Sequence, residues 1–217
     1  MMRGMHPVFE RLQASRLAAV VMIEREEHAV PLARALVAGG VSAMELTLRS
    51  EAALGGLQRV VAEVPDMLVG AGTVVTEAQV DEVMDAGAAF AVAPGTNARI
   101  LEASREAGLP FAPGIATPSD IETALEFGCR LLKFFPAEGM GGLEYLEGIA
   151  APYRHLGLRY LPLGGINEEN LRSYASSPDV LAVGGSWLAP RPVLEAGDWS
   201  GIESLARRAV GLLGHGG

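Results

Sequence analysis

Short apolar runs alternate with longer amphipathic stretches along the whole chain, the pattern expected of β/α units in a parallel sheet. Eight runs predict strands: "LAAVVMI" (17–23), "SAMELTL" (42–48), "MLVGAG" (67–72), "AFAVAP" (89–94), "LPFAPG" (109–114), "RLLKFF" (130–135), "LRYLPL" (158–163) and "VLAVGG" (180–185). Between them, "EHAVPLARALVAGG", "TEAQVDEVMDAG", "NARILEASREAG" and "TPSDIETALEFG" predict helices, each closed by glycine where a left-handed residue stops the helix. Thr117 before Pro118, and Asn167 before two glutamates, supply capping oxygens at helix starts. Eight strands alternating with helices predict an α/β fold, a single-domain (β/α)8 TIM barrel over 1–217, with a helical lead-in at 1–16 and a frayed tail at 211–217. A doubly wound open sheet is the alternative, but no G-x-G-x-x-G follows the first strand. No solenoid repeat, low-complexity tract or linker divides the chain.

In a barrel, chemistry belongs at the C-terminal ends of the strands. Strand two, "MELTLR", alternates so that Glu45, Thr47 and Arg49 share one face. If the apolar face packs on helices, these polar groups point into the barrel and need partners or a ligand; a structural Glu45–Arg49 ion pair is the competing reading. Strand six puts Leu131, Lys133 and Phe135 on one face and Leu132 and Phe134 on the other. Burial among apolar groups disfavours an ammonium and leaves more neutral amine to attack a carbonyl. Arginine cannot take that role, because its guanidinium stays protonated. The alternative is a lysine with a buried stem whose head reaches water or Glu45.

Strands seven and eight end in "LPLGGI" and "AVGGSWL", so Gly164, Gly165 and Gly185 let backbone N–H groups approach an oxyanion, and Ser186 adds a hydroxyl. "GAGT" places Thr73 at the mouth of strand three, where a plain turn and helix cap is the alternative. His6, His28, His155 and His215 fall away from strand ends and are expected to be solvated; they assemble no metal site. Cys129, ahead of strand six, is expected to act as a small buried hydrophobe.

Composition sharpens the picture. Of 17 basic residues only Lys133 is lysine, so the chain uses arginine wherever a bare positive charge suffices. A net charge of −9 argues against a nucleic-acid surface and points to a small-molecule partner. One cysteine permits no internal disulfide, the start lacks signal-peptide features, and the run 17–23 is too short to span a bilayer. A soluble cytoplasmic protein without membrane partner is expected. An amine, a carboxylate, an arginine and a phosphate cradle together suit a phosphorylated keto acid, with Arg49 pairing the substrate carboxylate.

The motifs "EHAVPLARALVAGGV", "MELTLRS", "VGAGTV", "PGIATPSD", "LKFFPAEGMGG", "PLGGI" and "VGGSWL" resemble the 2-keto-3-deoxy-6-phosphogluconate (KDPG) and 4-hydroxy-2-oxoglutarate (KHG) aldolase family from about residue 17 to 210. The resemblance implies a metal-independent, cofactor-free aldolase with Lys133 as the Schiff-base residue and Glu45 as general acid/base. It further implies that Arg49 and Thr73 hold the pyruvate portion, that Gly164, Gly165 and Ser186 hold the phosphate, and that the protein is a homotrimer. The chain departs from it at Leu163, where many relatives have threonine, and at Ala93 and Ala116. The related galactonate-specific enzymes resemble it less, since "E-x-P-L-N" there replaces "ELTLRS".

Overall fold

The computed structural model describes residues 5–214. In chain order the elements are α1 (Val8–Ser15), β1 (Leu17–Val21), α2 (Ala29–Ala38), β2 (Ala43–Thr47), α3 (Ala52–Glu63), β3 (Leu68–Gly72), α4 (Glu77–Asp85), β4 (Ala91–Val92) and α5 (Ala98–Ala107). They continue with β5 (Phe111–Ala112), β6 (Gly114–Ile115), α6 (Pro118–Glu126), β7 (Leu131–Phe134), α7 (Gly142–Ala150), β8 (Arg159–Pro162), α8 (Leu171–Ser176), β9 (Val183–Gly185), α9 (Arg191–Glu195) and α10 (Trp199–Leu212). The fold is α/β. Six parallel strands, in the order β5-β4-β3-β2-β1-β9, form a half-barrel, and β6-β7-β8 form a second parallel sheet.

Nine strands replace the eight expected because Pro113, which has no N–H to give a ladder, divides the fifth run into β5 and β6. The division falls where the two sheets meet: β5 pairs with β4, β6 pairs with β7, and Pro113 O accepts the Lys133 N–H at 2.8 Å. On the far side, Tyr160 of β8 bridges to Val180, and Leu181 N–H donates to Tyr160 O at 2.8 Å. The eighth expected strand is therefore shorter than "VLAVGG", with only Val183–Gly185 continuous. All four glycines expected to end helices, Gly40, Gly87, Gly108 and Gly128, do have positive φ. Thr117 forms a capping box with Asp120, and Thr76 does the same with Gln79. At the end of the chain, the helix α10 runs through Leu212, so the tail expected to fray is helical there; residues 215–217 lie outside the described residues.

Strand alternation separates two apolar layers. Met44, Leu46, Leu132 and Phe134 face the helices, where Leu32, Leu36 and Leu57 complete the larger core. Ala43, Leu131, Leu161 and Leu163 turn the other way into a smaller cluster, and Phe9 and Leu12 of α1 join it beside the first residues of the strands. No helix among the described residues is long and apolar enough to cross a membrane.

Candidate active site

Two charged side chains interrupt the inner apolar layer. Glu45 is 2% exposed and Lys133 5%, and the lysine Nζ donates to Glu45 Oε1 at 2.9 Å and Oε2 at 3.2 Å. They come from β2 and β7, strands in different sheets, 88 positions apart in sequence. The alternation expected for strand six is correct: Leu131 and Phe135 share the lysine's side, and Lys133 Nζ sits 5.4 Å from the Phe135 ring centroid. Such a pair contributes little net stability, because desolvation offsets its attraction, whereas removing one partner leaves a buried charge without a counter-ion. Packing does not explain the pair.

The alternative pairing of Glu45 with Arg49 does not form. Arg49 is exposed, and its side chain makes no ion pair among the described residues. Thr47, the third polar residue of that face, donates its hydroxyl to Val21 O at 3.1 Å and so ties β2 to β1. Thr73, at the end of β3, has φ +63°, a left-handed conformation that costs a branched residue roughly 1–2 kcal/mol. Sequence reading missed Gly72. A Cβ there would stand 2.1 Å from Glu45 Oε1, so this glycine is the space the carboxylate occupies.

Gly164 and Gly165 follow β8 with φ +94° and +84°, conformations that favour glycine. Their N–H groups donate to no acceptor among the described residues. Ser186, exposed, opens the 3-10 turn Ser186–Leu188 directly after β9. Gly185 also serves packing: a Cβ would land 1.5 Å from the Trp187 ring, so its bare Cα makes room for that side chain.

An amine–carboxylate pair, an aromatic ring, an exposed arginine, a strained threonine and a glycine turn whose N–H groups have no acceptor among the described residues thus all lie on strands or on the loops that follow them. The family model described as "KDPG and KHG aldolase" matches residues 8–205. The chain belongs to that family. It is 47% identical over 199 residues to the 2-dehydro-3-deoxy-phosphogluconate aldolase of Dickeya dadantii, covering 92% of each chain, and 45% identical to the KHG/KDPG aldolase of Escherichia coli K12, again covering 92% of each. Among solved structures, it matches the KDPG aldolase of Legionella pneumophila, which captured pyruvate as a covalent carbinolamine intermediate, at TM-score 0.88 and 37% identity, over 93% of this chain and 97% of that one. The Zymomonas mobilis KDPG aldolase with 3-phosphoglycerate matches at TM-score 0.88 and 35% identity, over 95% and 96%.

The positions where a departure from the family was expected have defined places in the fold. Leu163 is buried in the inner layer against Gly184, where a Cβ would stand 2.8 Å from its Cγ, so the turn after β8 starts on an apolar anchor. Ala93 is buried beside Pro94, and Ala116 O accepts the Tyr145 hydroxyl at 2.9 Å. Cys129 is half-buried, and that burial pushes its thiol up to about 12, consistent with an unreactive apolar role. His6 and His155 are exposed, as expected, and His215 lies outside the described residues. His28 is a correction. It is buried, packs edge-on against Trp199 at 5.3 Å between ring centroids and contacts Arg25, because the turn before α2 folds it under α10. Among the described residues no group of three or more His, Cys, Asp or Glu could hold a metal ion.

Proposed function

We propose that this protein is a class I aldolase, an aldehyde-lyase that reversibly cleaves KDPG to pyruvate and glyceraldehyde 3-phosphate, and that also accepts KHG, giving pyruvate and glyoxylate. The observation that carries the reading is the buried contact between the only lysine and Glu45, 2.9 Å apart. Lys133 attacks the C2 ketone to give a carbinolamine, which loses water to form an iminium. Glu45, as carboxylate, accepts the C4 hydroxyl proton; the C3–C4 electron pair moves into the iminium, leaving an enamine and releasing the aldehyde. The same group returns the proton to C3, and hydrolysis then frees pyruvate and the amine.

Arg49 and Thr73 bind the substrate carboxylate in this reading, and the exposed Arg49 guanidinium, without an ion pair among the described residues, suits a bidentate contact. The left-handed Thr73 fits a residue held in strain for binding. Phe135 walls the site beside the amine. Gly164 and Gly165 supply N–H donors to the phosphate, with Gly185 and Ser186 opposite. We also infer that the two sheets close into a complete (β/α)8 barrel; the Pro113 junction and the Tyr160–Val180 bridge, at the two seams, support closure. A homotrimeric, cytoplasmic enzyme completes the proposal, carried by the family resemblance and by the single cysteine.

Trapping tests the central step. Pyruvate with borohydride should add a stable mass to the peptide containing Lys133, and Lys133→Arg should abolish both the adduct and pyruvate release despite keeping the charge. Activity that survives with the Lys133 peptide unmodified overturns the reading.

A further inference from the structure

Three successive carbonyls hold the glycine turn after β8. Leu163 O accepts from Ala137 N–H at 2.7 Å, Gly164 O from Glu138 N–H at 3.0 Å, and Gly165 O from the Asn170 side-chain amide at 3.3 Å. The turn is thereby laced to the segment that follows Lys133, and its own N–H groups are left free. Glu138 packs directly against it: a Cβ on Gly165 would lie 2.6 Å from Glu138 Cβ and 2.8 Å from its Cγ. An acidic side chain therefore packs against a turn whose two N–H groups have no acceptor among the described residues, and such donors attract a carboxylate.

Another contact restrains that carboxylate. Tyr174 of α8, 1% exposed, donates its hydroxyl to Glu138 Oε1 at 2.5 Å. Burial, with the hydrogen bond and charge of Glu138, pushes the phenol up, so Tyr174 stays the donor at neutral pH. Gly142 faces the same contact, where a Cβ would come within 3.3 Å of Glu138 Oε1 and 3.5 Å of the Tyr174 hydroxyl.

We propose that Tyr174 is a positioning residue that keeps the Glu138 carboxylate off the Gly164–Gly165 N–H groups, and so preserves affinity for a phosphorylated substrate. The inference rests on reading those glycines as the phosphate cradle. A carboxylate released from Tyr174 competes with phosphate for the same donors and repels it. Pyruvate, which has no distal anion, does not feel the change.

The test measures kcat and KM for KDPG alongside the pyruvate concentration that half-saturates borohydride trapping. Tyr174→Phe should raise KM for KDPG about tenfold, the scale of losing a charge-assisted hydrogen bond, with kcat and pyruvate trapping within about twofold of wild type. Glu138→Asp keeps the charge on a stem too short to reach Tyr174 in place, and should raise KM similarly; being at an exposed position, it carries the test if the buried Tyr174 variant does not fold. Adding Glu138→Gln to Tyr174→Phe should bring KM back to within about twofold of wild type, since the competing charge is gone. An unchanged KM in the single variants overturns the proposal, and so does a double variant as impaired as Tyr174→Phe. A wild-type protein that releases no pyruvate from KDPG overturns the aldolase reading instead.

Discussion

Gly72 shows how much of a site can depend on an atom that is missing. Its Cα leaves the volume in which Glu45 Oε1 sits, and a Cβ at 2.1 Å would force the carboxylate away from Lys133. Gly72→Ala is expected to slow KDPG cleavage about a hundredfold or more, the size of a lost general acid/base. Borohydride trapping of pyruvate at Lys133 should still proceed, which separates proton transfer from amine attack; equal loss of both would refute this role for Gly72. Lys133 was legible in the sequence because it is the sole lysine and alternation fixed its face. Gly72 was not, because a glycine in "VGAG" reads equally well as a turn.

Secondary structure followed local chemistry wherever that chemistry went unopposed. Thr117 was expected to cap a helix, and it does so at the start of α6, accepting the Asp120 N–H at 3.3 Å while Asp120 Oδ2 accepts the Thr117 N–H at 2.8 Å. Thr117→Ala should cost about 1 kcal/mol, read as a lower urea midpoint with an unchanged slope. Its kcat should hold, because the loss falls on α6 and not on the Lys133–Glu45 contact; an unmoved midpoint would contradict the capping argument. Asn167 was expected to cap too, and it does so on the turn that leads into α8 at Leu171. Asn167 Oδ1 accepts from Glu169 N–H at 2.8 Å and Asn170 N–H at 3.4 Å, Asn170 Oδ1 accepts from Asn167 N–H at 2.8 Å, and Leu171 N–H donates to Asn167 O at 3.0 Å, the reciprocal pattern of a capping box. Where local chemistry met opposition, as in the fifth strand, the element divided: Pro113 lacks an N–H.

At the scale of the molecule, the family resemblance predicts three copies, and light scattering of the purified protein should return the mass of three chains at micromolar concentration; a stable monomer with full activity would refute the trimer. Periodicity in the sequence determined the alternation of strands and helices, which strand faces turn inward, and the residue types available for chemistry, because each depends on neighbours within a few positions. Only the tertiary structure decided which charges meet. Arg49 is four residues from Glu45, yet Lys133, 88 positions away, pairs with it. The inner faces of β2 and β7, strands of different sheets, meet at this pair, with Gly72 leaving room for one partner and Phe135 flanking the other. The same holds for His28, a connection residue that packing carried into the core, and for Glu138, which only folding sets between the glycine turn and Tyr174. Local patterns carry no information about such contacts, since they depend on how distant strands stack and on the volume their side chains leave between them.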